Sequence, residues 1–226
     1  MTSVFLQMRL DSTRLPRKAL LPLGDRTVAE HAMRALDAVR ADHRMLLTTA
    51  DSADELAPVA ERAGWRLFVG PKDDVLKRFL LAAAETGADR IVRATGDNPL
   101  VSAAMADATQ DLADETGADY AGFRDLPVGS GVEVVNVRAL ELAGAEATDP
   151  YEREHVSPFL YRRPERFRIE VPPAPEACRA PGRRITLDTP EDYAFLERLY
   201  ADLYEGEPLD LDRVVPWLLD HPSDAG

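Results

Sequence analysis

Val4-Phe5-Leu6-Gln7-Met8, running straight into Arg9-Leu10-Asp11-Ser12-Thr13-Arg14-Leu15-Pro16-Arg17-Lys18, is the stretch that decides the fold. The first five residues read as a strand, and the proline-containing segment after them reads as a loop. Thr27-Val28-Ala29-Glu30 then forms a capping box, which opens a helix whose apolar stripe is Val28, Ala32, Met33, Leu36 and Val39. Strand, loop and amphipathic helix make one unit of a βα fold, and the same alternation continues along the chain. Strands are expected at Met45–Thr49, Trp65–Val69 and Arg90–Thr95. Helices are expected from a second capping box at Ser52-Ala53-Asp54-Glu55 to Gly64, over Val75–Thr86, and from Ser102 to Thr116. Pro58 is a candidate kink in the first of these.

The second half is less regular. Strands are expected at Asp119–Phe123, Val132–Asn136, Phe167–Val171 and Arg184–Leu187, with the proline-rich stretch 171–182 as the loop between the last two. Helices over 190–204 and Leu211–Leu219 close the chain, and the segments 204–210 and 220–226 read as loose. The sum is a single α/β domain, a three-layer α/β/α arrangement around a mostly parallel mixed sheet.

Composition narrows the function. In 226 residues there are 27 basic and 40 acidic side chains, a net charge of −13, which argues against nucleic acid or an anionic membrane as partner. No apolar run is long enough to span a membrane and no export signal is evident, so a cytoplasmic protein is expected. The single cysteine, Cys178, forms neither an internal disulfide nor a cysteine metal clasp. Motifs for P-loop, dinucleotide, zincin and α/β-hydrolase chemistry are absent.

Against that acidic background, residues 1–20 carry four bases and one acid. A basic loop leaving the first strand of an α/β sheet lies where such folds bind ligands. Ser12 and Thr13 with their backbone amides suit phosphate oxygens, Arg14 offers a fork and Lys18 a point charge; a solvated loop is the plain alternative. Two acids end later strands. Asp97, in Arg93-Ala94-Thr95-Gly96-Asp97-Asn98-Pro99, faces the same crevice and suits a divalent cation beside phosphates, or else caps its turn. Asp188 precedes Thr189-Pro190-Glu191-Asp192, where Thr189 and Asp192 form a capping pattern, leaving Asp188 free for chemistry. His155 has charged neighbours in Tyr151-Glu152-Arg153-Glu154-His155, and a helix-face ion cluster explains it equally well.

Together these segments resemble the spore coat polysaccharide biosynthesis cytidylyltransferase family, itself similar to the enzymes that activate sialic acid and 3-deoxy-octulosonate. The likeness covers Gln7 to about His221. Its landmarks are Gln7-x-Arg9-x-x-Ser12-Thr13-Arg14-Leu15-Pro16-x-Lys18, Asp74-Val75-Leu76-x-Arg78-Phe79, Thr95-Gly96-Asp97-Asn98-Pro99-Leu100, Glu152-Arg153-Glu154-His155-Val156 and Leu187-Asp188-Thr189-Pro190-Glu191-Asp192. The resemblance implies a nucleotide-diphospho-sugar transferase (GT-A-like) fold, with a nucleotide-binding half over 1–117 and an acceptor and dimerisation half over 118–226. It implies CTP as the nucleotide, Mg²⁺ held by Asp97 and Asp188, and an acidic or phosphorylated acceptor, with a homodimer as a possible assembly. Gln7, Arg9, Ser12, Thr13, Arg14, Lys18, Asp74, Arg78, Thr95, Gly96 and Asp97 are then expected at the nucleotide. Glu133, Glu154, His155 and Arg184 are expected at the acceptor, Arg162 and Arg183 are further candidates to grip it, and Glu154 or His155 would be a base for a hydroxyl acceptor. The chain departs from the family at Asp11 and Arg17, where glycine is common. A nucleotide-binding module without turnover, favoured by Asp11, and a glycosyltransferase carrying Asp210-Leu211-Asp212 as its metal motif are the rival readings; the second fails on position.

Overall fold

The structure, a computed structural model, describes residues 1–221. In chain order the elements are β1 (Thr2–Gln7), a hairpin of β2 (Pro22–Leu23) and β3 (Arg26–Thr27), α1 (Val28–Leu36), β4 (His43–Thr48), α2 (Ala50–Ala63), β5 (Arg66–Val69), α3 (Val75–Thr86) and β6 (Arg90–Thr95). After these come α4 (Ala103–Thr116), β7 (Tyr120–Ala121), β8 (Glu133–Asn136), α5 (Val137–Glu146), α6 (Pro150–His155), α7 (Pro158–Tyr161), β9 (Ile169–Glu170), α8 (Pro190–Leu203) and α9 (Leu211–Asp220).

The main sheet has seven strands in the order β5-β4-β1-β6-β8-β7-β9. β1 lies parallel to both β4 and β6, whereas β8 runs antiparallel to β6 and β7. The chain therefore builds outward from β1 to β4 and β5, then crosses back to place β6 on the other side of β1. That reversal opens a crevice beyond the C-terminal ends of β1 and β6, the place where open α/β sheets receive ligands.

Alternation along the strands sorts the core into two layers. Val4 and Leu6 of β1, Leu46 of β4 and Val92 and Ala94 of β6 pack with α1, α2 and α4. Phe5, Met45, Leu47 and Ile91 face the other way, against α3 and α5. Both faces of the central strands are thus apolar, as covered parallel strands require. A third cluster joins the hairpin, Leu100, Ile185 and Leu187 to α8 and α9.

The capping boxes at Thr27/Glu30 and Thr189/Asp192 form as the sequence suggests, and Ser102 caps α4. The expected box at Ser52 does not. α2 starts earlier, with Thr49 at its N-cap, and Ser52 lies inside the helix, where its Oγ accepts the Leu10 amide at 3.1 Å. That hydroxyl is spent on the loop after β1 instead of on its own helix. The strand expected over 184–187 reduces to one bridge, Val128 to Arg184, because Leu187 donates to Asp97 O at 2.9 Å instead of to a neighbouring strand. The strands expected at 119–123 and 167–171 shorten to two residues each. Nor is 204–210 loose: Leu209 is buried, and Tyr204 donates its hydroxyl to Asp25 Oδ1 at 2.8 Å. Of the segment 220–226, residues 222–226 lie outside the described residues.

Arg17 holds a left-handed conformation (φ 59°, ψ 23°) at the start of a 3₁₀ turn over Lys18–Leu20. That backbone explains why glycine suits the position, since only glycine adopts it without a Cβ penalty. Arg17 offsets part of the cost by pairing with Glu55. Arg17→Gly is expected to be more stable than Arg17→Ala by roughly 0.5–1 kcal/mol. Both variants lose the ion pair and differ only in backbone freedom, so denaturant midpoints of the two measure the strain directly.

Candidate active site

The loop after β1 closes over the end of the sheet and, with the turn after β6, encloses a cavity of about 490 Å³. Gln7, Arg9, Ser12, Thr13, Arg14, Lys18, Thr95, Gly96, Asp97 and Asp188 line it, which brings together nine of the residues expected at the nucleotide from two separate segments, and both expected metal acids. Gly96 is needed for the approach of these segments. Its amide donates to Gln7 O at 2.8 Å, and a Cβ there would sit 2.8 Å from Cβ of Met8.

At the centre is Lys18. Its ammonium donates to Asp97 Oδ2 at 2.8 Å, to Asp188 Oδ1 at 2.7 Å and to Leu187 O at 2.7 Å, and the side chain is only 12% exposed. Three donors and three acceptors satisfy it fully. Asp188 also takes Arg14 Nη2 at 3.1 Å and pairs with Arg184. Burial works against ionisation of Asp188, yet the hydrogen bonds from Lys18 and Arg184 and the nearby charges outweigh it and hold its carboxyl below the usual range.

Two carboxylate oxygens within hydrogen-bond reach of one nitrogen are close enough to share a small cation in its place. Among the described residues no cluster of three or more His, Cys, Asp or Glu side chains is suited to a metal. Two carboxylates are the number a divalent cation takes from the protein when it completes its shell with water and phosphate oxygens.

Asp11 lines the cavity but is not a bare charge. Lys72 Nζ lies 2.9 Å from its Oδ2 and Arg9 Nε 3.5 Å from its Oδ1. The hydrogen bond from Lys72, acting against partial burial, holds the Asp11 carboxyl below the ordinary range. Lys72 also bonds Asp51 at 2.5 Å and, with the Thr49 hydroxyl, lowers that carboxyl to about 2. Nothing in the sequence singles out Lys72: it sits in the connection between β5 and α3 beside Asp73 and Asp74, where local charge looks self-cancelling.

Other expected site residues stand elsewhere. Asp74 caps α3 through the Lys77 amide and pairs with Arg153 at 2.9 Å, which occupies its carboxylate. Arg78 is fully buried; its Nε and Nη2 donate to Pro71 O, and Nη2 also to Lys72 O, so it braces the β5–α3 connection from beneath. Neither lines the cavity. Glu154, expected at the acceptor, lines the first cavity instead. His155 is exposed and packs its ring on Tyr151, centroids 4.2 Å apart, and lines neither cavity. Arg184 is taken by Asp188 and Asp192.

Glu133 lines a second cavity of about 340 Å³, which shares Thr95 with the first. It accepts from Arg93 Nη1 at 2.8 Å, from the Tyr120 hydroxyl at 3.1 Å and from Ser157 Oγ at 2.7 Å. Ser157 is delivered by an uncommon backbone. Val156, with φ 73° and ψ −61°, is the middle of a γ-turn closed by Ser157 N donating to His155 O at 2.9 Å. A β-branched residue at positive φ is strained, and here it links Glu154 at the first cavity to Ser157, the buried donor to Glu133 of the second. The Asp210-Leu211-Asp212 motif is a helix start: Asp210 caps α9 and accepts from Ser102 Oγ at 2.7 Å.

A mostly parallel sheet, with a basic loop after its first strand and an acid pair facing that loop across the chain reversal, is the build of a nucleotidyltransferase. The chain belongs to the cytidylyltransferase family, whose profile matches residues 3–211. It is 31% identical over 227 residues to the spore coat polysaccharide biosynthesis protein SpsF of Bacillus subtilis, spanning 97% of this chain and 95% of that protein. Its fold is similar to that of a cytidylyltransferase from Leptospira borgpetersenii, with 28% identity, a TM-score of 0.89, and 99% of this chain and 96% of that one covered. The fold also matches a CMP:2-keto-3-deoxy-manno-octonic acid synthetase complexed with CTP, at 14% identity and a TM-score of 0.66 over 89% of this chain and 98% of that one.

Removing the central cation tests the electrostatics of the site. Lys18→Met leaves Asp97 and Asp188 facing each other without it, and is expected to cost roughly 2 kcal/mol at pH 7. Because the folded Asp188 carboxyl lies below its unfolded value, the stability it contributes is present above the ordinary carboxylate range and is lost as pH falls through the folded value. The gap between wild type and variant therefore narrows on acidification, which denaturant unfolding at neutral and acidic pH measures.

Proposed function

We propose that this protein transfers CMP from CTP to an acceptor oxygen and releases pyrophosphate. The observation that carries the reading is the convergence of Arg14, Lys18, Asp97 and Asp188 on one cavity of nucleotide size, with a second cavity joined to it at Thr95. The acceptor oxygen attacks the α-phosphorus in line. A new P–O bond forms as the bond to the bridging oxygen of the β-phosphate breaks, and the electron pair leaves with pyrophosphate. Such transfers depend on positioning and charge neutralisation more than on covalent help from the protein.

Arg9, Arg14 and Lys18 receive the triphosphate, and Ser12 and Thr13 hydrogen-bond its oxygens. Asp97 and Asp188 would hold Mg²⁺, which would supply charge neutralisation at the phosphates and for the departing pyrophosphate. With the acids engaged that way, the Lys18 ammonium would be free to turn from them toward the phosphates. Residues 1–117 provide most of the nucleotide side, and the second half provides the acceptor side while lending Glu154 and Asp188 to the first cavity.

The acceptor is an acidic sugar or a phosphorylated or phosphonate compound, destined for a surface polysaccharide or glycoconjugate. Arg93, in the second cavity, is already neutralised by Glu133 at 2.8 Å. A phosphate acceptor needs no base; for a hydroxyl acceptor Glu154 is the placed carboxylate, and His155 is not. No helix among the described residues is long and apolar enough to cross a membrane, in keeping with action in the cytoplasm, and a homodimer formed through the second half belongs to the same proposal. The inactive-module reading draws its force from Asp11, and the pairing of that carboxylate with Lys72 weighs against it.

Thermal melting with CTP, UTP, GTP and ATP, each with and without Mg²⁺, tests the nucleotide site, since a ligand bound only by the folded state raises the midpoint. A shift specific to CTP with Mg²⁺ is expected; no shift with any nucleotide rejects the reading. Asp97→Asn is expected to lower pyrophosphate release by about 100-fold or more while the protein stays folded. Full turnover in that variant would remove Asp97 from the metal site.

A further inference from the structure

Asp11 poses a problem that the rest of the site does not solve. It lines the cavity that holds Arg9, Arg14 and Lys18, and a carboxylate there repels any polyphosphate the cations attract. Arg9 lies 3.5 Å away, a weak contact, and its own charge is needed at the ligand. The close partner, at 2.9 Å, is Lys72, which belongs to a different part of the chain.

The position of Lys72 is fixed from two sides. Its ammonium is shared between Asp11 and Asp51, the latter in the first turn of α2. Its backbone is pinned by the buried Arg78, whose guanidinium donates to Pro71 O at 3.0 and 2.5 Å and to Lys72 O at 3.2 Å. A buried arginine spending its hydrogen bonds on two consecutive carbonyls sets the course of that connection. The lysine projecting from it is thereby aimed at the phosphate loop.

We propose that Lys72 is a positioning residue for nucleotide binding, which cancels the charge of Asp11 and ties the loop after β1 to the β5–α3 connection; this rests on the cytidylyltransferase reading above. Arg78 acts one step further back, through the backbone that carries Lys72. An exposed ion pair contributes little to folding, so the contribution appears in the affinity for a highly charged ligand. Without Lys72 the triphosphate meets an uncompensated carboxylate at the cavity wall.

Calorimetric titration of CTP with Mg²⁺ into wild type, Lys72→Met, Asp11→Gly and the double variant tests this. Lys72→Met is expected to weaken CTP binding roughly five- to tenfold at low ionic strength, less at about 0.5 M salt, with the melting temperature unchanged. In turnover, KM for CTP rises while kcat holds. In the Asp11→Gly background the same substitution is expected to cost less than about twofold, and Lys72→Arg keeps wild-type affinity. Equal losses in both backgrounds, or no loss in either, overturn the proposal, because the lysine would then act independently of Asp11. Failure of the wild type to bind CTP at all is a different result, and it removes the cytidylyltransferase reading itself.

Discussion

One ammonium group holds this site in shape. Lys18 reaches Asp97 and Asp188, 79 and 170 residues away in sequence, and satisfies a backbone carbonyl between them. Two carboxylates sharing one small space repel each other unless a cation lies between them. With Lys18 there, the loop after β1, the turn after β6 and the segment before α8 are drawn to one point at the end of the sheet. The cost of desolvating these charges is offset because each donor on the nitrogen has an acceptor.

The sheet makes that convergence possible. β1 is central, and its parallel neighbours β4 and β6 leave it on opposite sides. The ends of β1 and β6 are therefore adjacent while the chain following each is free to turn away, which leaves room for a ligand. The antiparallel β8 then carries Glu133 to the far wall of the neighbouring cavity, where Arg93, Tyr120 and Ser157 hold its carboxylate. The two cavities meet at Thr95, the last residue of β6, so both open from one strand end.

Much of this was legible in the sequence where short-range rules apply. The capping boxes at Thr27 and Thr189 were, because a hydroxyl and a carboxylate three residues apart find the same free amides wherever the helix lies. The loop from Arg9 to Lys18 and the strand-ending acids Asp97 and Asp188 stood out because their charge has no use inside a parallel core. What failed was long-range. Ser52 fits a capping box locally, yet its hydroxyl serves Leu10, 42 residues away. Asp74 and Arg78 sit in a recognisable motif, but the carboxylate is taken by Arg153 and the guanidinium by the carbonyls of the connection before α3. Lys72 escaped for the complementary reason: its partners Asp11 and Asp51 come from elsewhere in the fold, and no spacing reveals them.

The separation between Lys18 and Asp188 also orders events in time. A chain is made from its amino terminus at about 5–20 residues per second, so on the order of 10–30 s separate the appearance of the lysine from that of its second carboxylate. During that interval β1, β4, β5 and β6 can pair, but the cavity lacks one wall. A partly synthesised chain thus has most of its sheet before it has a complete site, which is closed only once the segment carrying Asp188 has been delivered.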